Sequence, residues 1–379
     1  MTTYVGTLGD DSHTSASGED ALYGLDGNDT LASSAVRDSV VYGGNGNDVL
    51  SFSGFVSPGG GALYGDEGND TLSGYDSNMS GGAGDDSITG GGSIAYGGEG
   101  NDIVSAGWDG FFNLGTAYGG VGNDTIHSQG SIVDGGSGDD EIWDTYSGGL
   151  GENIIPGGDG NDFIVVSSGS GAFVNLLSIY GGQGNDSIYG GGNADILIGD
   201  QGFDLLEGNG GNDYLYMASS GGSAYGGDGN DVGVGSAAAD VFSGDAGDDV
   251  LFGYEGNDYL YGGTGNNTMY GGDGVDVLIG GVGSDYFDGG SGVNYYFGGG
   301  GSNTFVSIDV PGVEVVQDFN AATDVVALNG TGFSSFADVL SHSYQNGAYF
   351  VVQVDSDTAV WLNGASAATV TASNFSIVS

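Results

Sequence analysis

The chain has 379 residues, 85 of them glycine and three proline, and 51 acidic residues face a single basic one, Arg37, for a formal charge of −50. Glycine at that density without a strict triplet excludes collagen and does not suit ordinary globular domains. A field of that sign disfavours nucleic acid and anionic membrane, which bind proteins through Lys and Arg, and the absence of cysteine rules out thiolate-held metals and disulfides.

The first residues, MTTYVGTLGDDSH, hold no basic segment and no apolar run of signal-peptide length, and no stretch approaches the roughly 18 apolar residues of a membrane span. From Gly6 a nonapeptide recurs. In residues 97–105 (GGEGNDIVS) glycine stands at positions 1, 2 and 4, aspartate at 6 and an aliphatic at 8, and residues 43–51, 181–189 and 271–279 repeat that spacing. Up to Gly181 the units start 16 to 24 residues apart; from there they follow one another every nine, with a degenerate slot, MASSGGSAY, at 217–225.

Nine residues are too few for a helical repeat but suit a tight turn followed by a short strand whose central side chain points inward. Two such units make one coil. The predicted fold is therefore all-β, a parallel β-roll (β-solenoid) of glycine-rich nonapeptide repeats with a C-terminal β-rich cap. In residues 1–189 the Gly–Asp turns occupy mainly one edge, and variable segments such as FSGFVSPGGGALY (52–64) and AGWDGFFNLGTAY (106–118) occupy the other. In 190–306 both edges carry the turn. In 307–379 the glycine pattern gives way to alternating apolar stretches such as VEVVQDF (313–319) and YFVVQV (349–354), with a short helix expected around 333–342, and this region reads as the cap that a solenoid end needs.

These nonapeptides resemble the repeats-in-toxin (RTX) motif, G-G-x-G-x-D-x-U-x. The resemblance implies Ca²⁺ between successive turns, held by turn carbonyls and by the position-6 carboxylates. The ligands it implies are Asp29, Asp48, Asp70, Asp86, Asp102, Asp124, Asp140, Asp162, Asp186, Asp195, Asp204, Asp213, Asp231, Asp249, Asp258, Asp276 and Asp285. Asn267, Asn294 and Asn303 occupy the same position and supply an oxygen without charge, so weaker or empty sites are expected there. Calcium prefers six to eight oxygen ligands, and adjacent turn pairs would hold on the order of fifteen ions. Without them the carboxylates repel, and a largely disordered chain is expected. The segment QDFNAATDVVALNGTGFSSFADVL (317–340) is similar to the region after the repeats in type I secretion substrates. That similarity implies export from a bacterial cell without an N-terminal signal, into a cell-surface or extracellular location.

No catalytic constellation stands out: HExxH and G-x-S-x-G are absent, the three histidines His13, His127 and His342 are scattered, and the paired carboxylates lie inside the turns. With the repeats starting near Met1, no separate catalytic domain and no enzyme activity are expected. The preferred reading is a secreted structural protein that associates with copies of itself into a surface layer, matrix or fibre. The alternative is an adhesin or carbohydrate-binding module contacting polysaccharide or a cell surface. Two features bear on this. One is a set of tyrosines at position 9 (Tyr23, Tyr42, Tyr64, Tyr96, Tyr118, Tyr180, Tyr216, Tyr270), read chiefly as cross-strand stacking. The other is a group of apolar loop residues, Phe52, Phe55, Trp108, Phe111, Phe112, Phe173, Leu176 and Leu177, which form either a satellite core or an exposed strip.

Overall fold

A computed structural model describes residues 2–15, 19–34, 39–52, 61–107, 115–129, 132–146, 153–168, 177–308 and 310–378. The chain is a parallel β-solenoid with almost no helix, as the nonapeptide period predicts. It divides into two compact units, Met1–Gly192 and Asn193–Ser379.

In the first unit two parallel sheets form. One runs from Thr2–Val5 and Glu19–Asp26 through Ile94–Glu99 to Leu177–Gln183; the other runs from Ser12–Thr14 through Ile103–Gly107 to Ser187–Tyr189. Register follows the repeat. Val104 pairs with Ile88 on one side and Ile126 on the other, so equivalent positions stack coil upon coil. The alternation of a strand sends position 8 inward, and Leu31, Leu50, Leu72, Ile88, Val104 and Ile126 are wholly buried against Val41, Leu63 and Ala95 of the facing sheet. This core is thin, about two aliphatic side chains in a coil of 16 to 24 residues, and leaves much of the ordering entropy for other interactions to offset.

The position-9 tyrosines face outward on one sheet and stack: Tyr23–Tyr42 and Tyr42–Tyr64 have ring centroids 5.1 and 5.0 Å apart, and Tyr96–Tyr118 4.7 Å. Ser80 interrupts the column before Tyr96, and Tyr180 pairs with Pro156. Of the loop residues, Phe52 and Leu177 are buried. Phe55, Trp108, Phe111, Phe112, Phe173 and Leu176 lie outside the described residues.

In the second unit the register offset is 18 residues, two nonapeptides per coil. The space beside Gly233, at an inward position, is filled by Phe242 of the facing sheet, half a coil on, whose ring occupies the space a Cβ would take. Beyond the repeats the parallel pairing continues: Gly312–Val316 pairs with residues 292–296 and with Thr358–Asn363, and Thr304–Ile308 with Val325–Asn329 and then Phe375–Val378. Tyr349–Gln353 then adds antiparallel to Thr358–Asn363, and Ser343–Asn346 antiparallel to it. The one α-helix among the described residues, Phe336–Ser341, starts at Ser335, whose hydroxyl accepts the Asp338 N–H.

Candidate metal centre

The turn at residues 97–102 shows what each glycine does. Gly98 and Gly100 have φ of +132° and +122°, a region that L side chains rarely adopt. Gly97 is needed for a different reason: a Cβ there would lie 2.3 Å from Asp102 Oδ2 and 2.4 Å from the carbonyl oxygen of Gly119 in the next coil. Those two oxygens thus face one small gap. The same gap recurs beside Gly43, lined by Asp48 Oδ2 and Gly65 O, and beside Gly157, lined by Asp162 Oδ2 and Gly181 O.

The position-6 carboxylates form continuous ladders. Asp86 N–H donates to Asp102 Oδ1 at 2.8 Å, and Asp102 N–H to Asp124 Oδ1 at 2.7 Å. In the first unit one ladder runs from Asp11 through Asp29, Asp48, Asp70, Asp86, Asp102, Asp124, Asp140 and Asp162 to Asp186. In the second unit there are two. Asp195, Asp213, Asp231, Asp249, Asn267, Asp285 and Asn303 form the first, which closes on Asp324. Asp240, Asp258, Asp276 and Asn294 form the second. Asp204 stands in register with the second, but the degenerate slot puts Gly222 opposite it. All seventeen aspartates named from the sequence are buried.

Burial without counter-charge is the electrostatic signature of these rows. The second carboxylate oxygen, Oδ2, of Asp29, Asp48, Asp70, Asp86, Asp102, Asp124, Asp140, Asp162, Asp213, Asp231, Asp249, Asp258, Asp276 and Asp285 is buried and has no hydrogen-bond donor. Desolvation, partly opposed by the ladder bond, pushes the carboxyl of Asp102 up to about 6, those of Asp86 and Asp140 to about 7 and that of Asp213 to about 8, and neighbouring carboxylates add to the rise. An unmet buried carboxylate oxygen beside a backbone carbonyl, repeated coil after coil, fits a hard, oxygen-preferring divalent cation. Among the described residues no three His, Cys, Asp or Glu side chains converge on one point. Each gap offers a carboxylate oxygen and a backbone carbonyl oxygen, hard donors rather than the nitrogen and sulfur ligands of a typical transition-metal site.

The asparagines correct the sequence reading in one respect, the oxygen that the amide was expected to supply. Asn267 Oδ1 is committed to the ladder, accepting the Asp249 N–H at 3.0 Å, so its other atom is an amide nitrogen. That Nδ2 donates directly to Gly280 O at 3.4 Å. Asn294 and Asn303 likewise turn Nδ2 toward the Cβ positions of Gly289 and Gly298. Asparagine thus supplies no oxygen to the gap and bridges the coils with an N–H where aspartate leaves two oxygens facing. At Asn294 the replacement is complete: its Nδ2 donates to Glu314 Oε1 at 3.4 Å, and the buried Tyr296 hydroxyl accepts the Gly289 N–H at 2.8 Å and donates to Glu314 Oε2. Burial pushes the Glu314 carboxyl up to about 8.

Two features go beyond the sequence reading. Asp11 and Asp240, at position 6 of the units that start at Gly6 and Gly235 but not among the named ligands, and Asp324 beyond the repeats belong to the ladders; Asp240 follows GSAAA, in which only the first glycine of the motif survives. Position 5 forms a second ladder of opposite sense: Asn101 N–H donates to Asp85 Oδ1 at 2.8 Å and Asn123 N–H to Asn101 Oδ1 at 2.7 Å. The recurring Asn-Asp pair was its signal, since each residue fastens the coil to a different neighbour. The histidines are not gathered into a site: His13 stacks on Tyr4, and His342 sits 3.5 Å from Asp338 beside the helix.

The family described as RTX calcium-binding nonapeptide repeat (4 copies) matches residues 5–40, 37–54, 58–78, 94–110, 142–171, 178–206, 189–217, 225–260, 234–269, 252–286 and 270–305. This is more than half of the chain, and the chain belongs to that family of calcium-binding repeat proteins. Among solved structures it is similar to the extracellular lipase LipA from Serratia marcescens, at 17% identity and a TM-score of 0.26, over 57% of this chain and 44% of that one. The chain thus spans less than half the length of that lipase. No curated protein matches.

Proposed function

We propose that this is a secreted structural protein that folds on calcium outside the cell and associates with copies of itself into a surface layer, matrix or fibre. The observation that carries the reading is the rows of buried carboxylate oxygens without donors. The metal-free fold is penalised at every coil, and a bound cation relieves that penalty between two coils at once. The seventeen position-6 aspartates named from the sequence are the ligands, with on the order of fifteen ions at six or more oxygens each. Calcium binding to the folded chain alone would then drive folding by mass action. Cytosolic calcium is too low to saturate modules of the ~10⁻⁴ to 10⁻³ M class, so the chain would stay threadable until export. The similarity of residues 317–340 to type I secretion substrates supports that route. The family matches fall on repeats throughout, which supports a structural role over an enzymatic one.

Negative-stain microscopy and circular dichroism of the purified chain, with chelator and with millimolar calcium, test both parts. Disorder in chelator and ordered polymers in calcium are expected. A chain fully folded in chelator would overturn the calcium dependence, and folded monomers at every concentration would overturn the assembly.

A further inference from the structure

In the second unit one sheet presents its outward residues in pairs, coil by coil: Ser223 and Tyr225, Val241 and Ser243, Tyr259 and Tyr261, Val277 and Ile279, Tyr295 and Phe297. In a chain with 51 acidic residues, these ten positions contain none. Tyr225, Tyr259, Tyr261 and Phe297 are 37 to 43% exposed, and aromatic rings fall only in alternate coils. Tyr225 is two coils from Tyr261, which is two coils from Phe297, a period of about 9.6 Å along the stack at ~4.8 Å per strand.

The alternation matters because no ring is covered by another ring. On the other sheet of this unit Phe252 and Tyr270 occupy consecutive coils and stack at 4.9 Å, 5° from parallel, so each covers the other's face. Among the described residues, Tyr225, Tyr259, Tyr261, Tyr295 and Phe297 stack on no other aromatic ring. Valine, isoleucine and serine separate them. The face is thus a row of partly exposed aromatic rings with hydroxyls at Ser223 and Ser243, the latter donating to Asp245 Oδ1 at 2.6 Å.

Three considerations choose the occupant. The strip is about 20 Å long and about 10 Å wide, a few hundred Å², whereas a stable protein partner needs ~800 Å² on each side; a second copy is too large an occupant for this face alone. Nucleic acid stacks on such rings but is repelled by a net charge of −50 that stays at about −20 with some fifteen Ca²⁺ bound, and so is an acidic glycan. A neutral polysaccharide meets neither objection. Its ring C–H bonds, made slightly positive by neighbouring oxygens, suit the electron-rich face of an aromatic ring. In a flat β-linked chain each sugar is turned over relative to the last, so like faces recur once per disaccharide, as the aromatics here recur once per two coils.

We propose that Tyr225, Tyr259, Tyr261, Tyr295 and Phe297 form a binding face for a neutral, extended, β-linked polysaccharide lying along the coil stack. This goes beyond the structural reading and does not depend on self-assembly; it requires only the calcium-loaded fold. The test uses the full chain in calcium, with folding of every variant checked by circular dichroism. Retention on insoluble cellulose and chitin is measured, together with titration by their soluble hexasaccharides and disaccharides. Binding is expected to at least one, tighter for the hexasaccharide, with Tyr261→Ala weakening it about tenfold or more, Tyr261→Phe leaving it intact and Tyr42→Ala, in the self-stacked column, having no effect. Folded wild-type protein retained no better than Tyr261→Ala would overturn the proposal, as would equal losses from Tyr42→Ala and Tyr261→Ala. A concentration-dependent dimer in sedimentation that Tyr261→Ala abolishes, with retention unchanged, would assign the face to a second copy instead.

Discussion

The two oxygens of Asp102 do different work, and two substitutions separate them. Oδ1 accepts the Asp86 N–H at 2.8 Å; Oδ2 faces the gap shared with Gly119 O. Asp102→Ala removes both. It strands a buried backbone N–H, at about 1–3 kcal/mol, and deletes a charged oxygen from the cation row. Asp102→Asn keeps the ladder bond and turns an amide N–H toward Gly119 O, the arrangement Asn267 makes with Gly280. In chelator the asparagine variant should therefore be more stable than the wild type, whose carboxyl, pushed up to about 6, is ionised without a partner at pH 7.5. The alanine variant gains the same charge relief but loses the ladder bond, leaving it about 1–3 kcal/mol below the asparagine variant. In saturating calcium the order changes: wild type first, then Asn, then Ala, with both variants binding fewer ions. The assay is urea unfolding followed by circular dichroism, in calcium and in chelator with sucrose to bring the metal-free fold into range, alongside calorimetric ion counts. Asp102→Asn no more stable than Asp102→Ala in chelator would refute the division of labour.

The converse change, Asn267→Asp, should exchange an N–H bridge for an oxygen pair, lowering stability in chelator and adding bound calcium by calorimetry. For pH, the carboxyls of Asp48, Asp86, Asp140, Asp249 and Asp258 are pushed up to about 7 and that of Asp213 to about 8. The metal-free fold therefore binds more protons than the unfolded chain between about pH 4 and pH 8, and its stability falls as pH rises through that window. Circular dichroism in chelator should show more β-structure near pH 5 than near pH 8, while protons competing for the same oxygens make the calcium midpoint lower at pH 8. Finally, Gly98→Ala should raise the calcium needed for folding, because its Cβ would lie 2.0 Å from Gly82 O at a φ of +132°, whereas Gly107→Ala, with nothing nearer than 3.7 Å, should leave the titration unchanged.

The period, the parallel roll and the aspartate at position 6 could be read from the chain because each follows from local spacing: three glycines set the turn, and one aliphatic sets the inward face. Spacing also puts Asp240 at position 6 of the unit starting at Gly235, and only the pairing across coils shows that it joins a ladder with most motif glycines replaced. What lay beyond the sequence is everything that depends on which atom meets which across two coils. Asn267 reads as a weaker aspartate until the Asp249 N–H claims its only oxygen and leaves a donor facing Gly280. Asn101 reads as turn chemistry until the Asn123 N–H is found on its side chain. Tyr42 and Tyr261 look alike in sequence, yet one is covered by the tyrosines above and below it and the other is flanked by Ser243 and Ile279. Neighbouring coils are 16 to 24 residues apart in the first unit and 18 in the second. A side chain's partner is therefore set by the stacking of coils, a tertiary contact whose sequence distance varies with every loop.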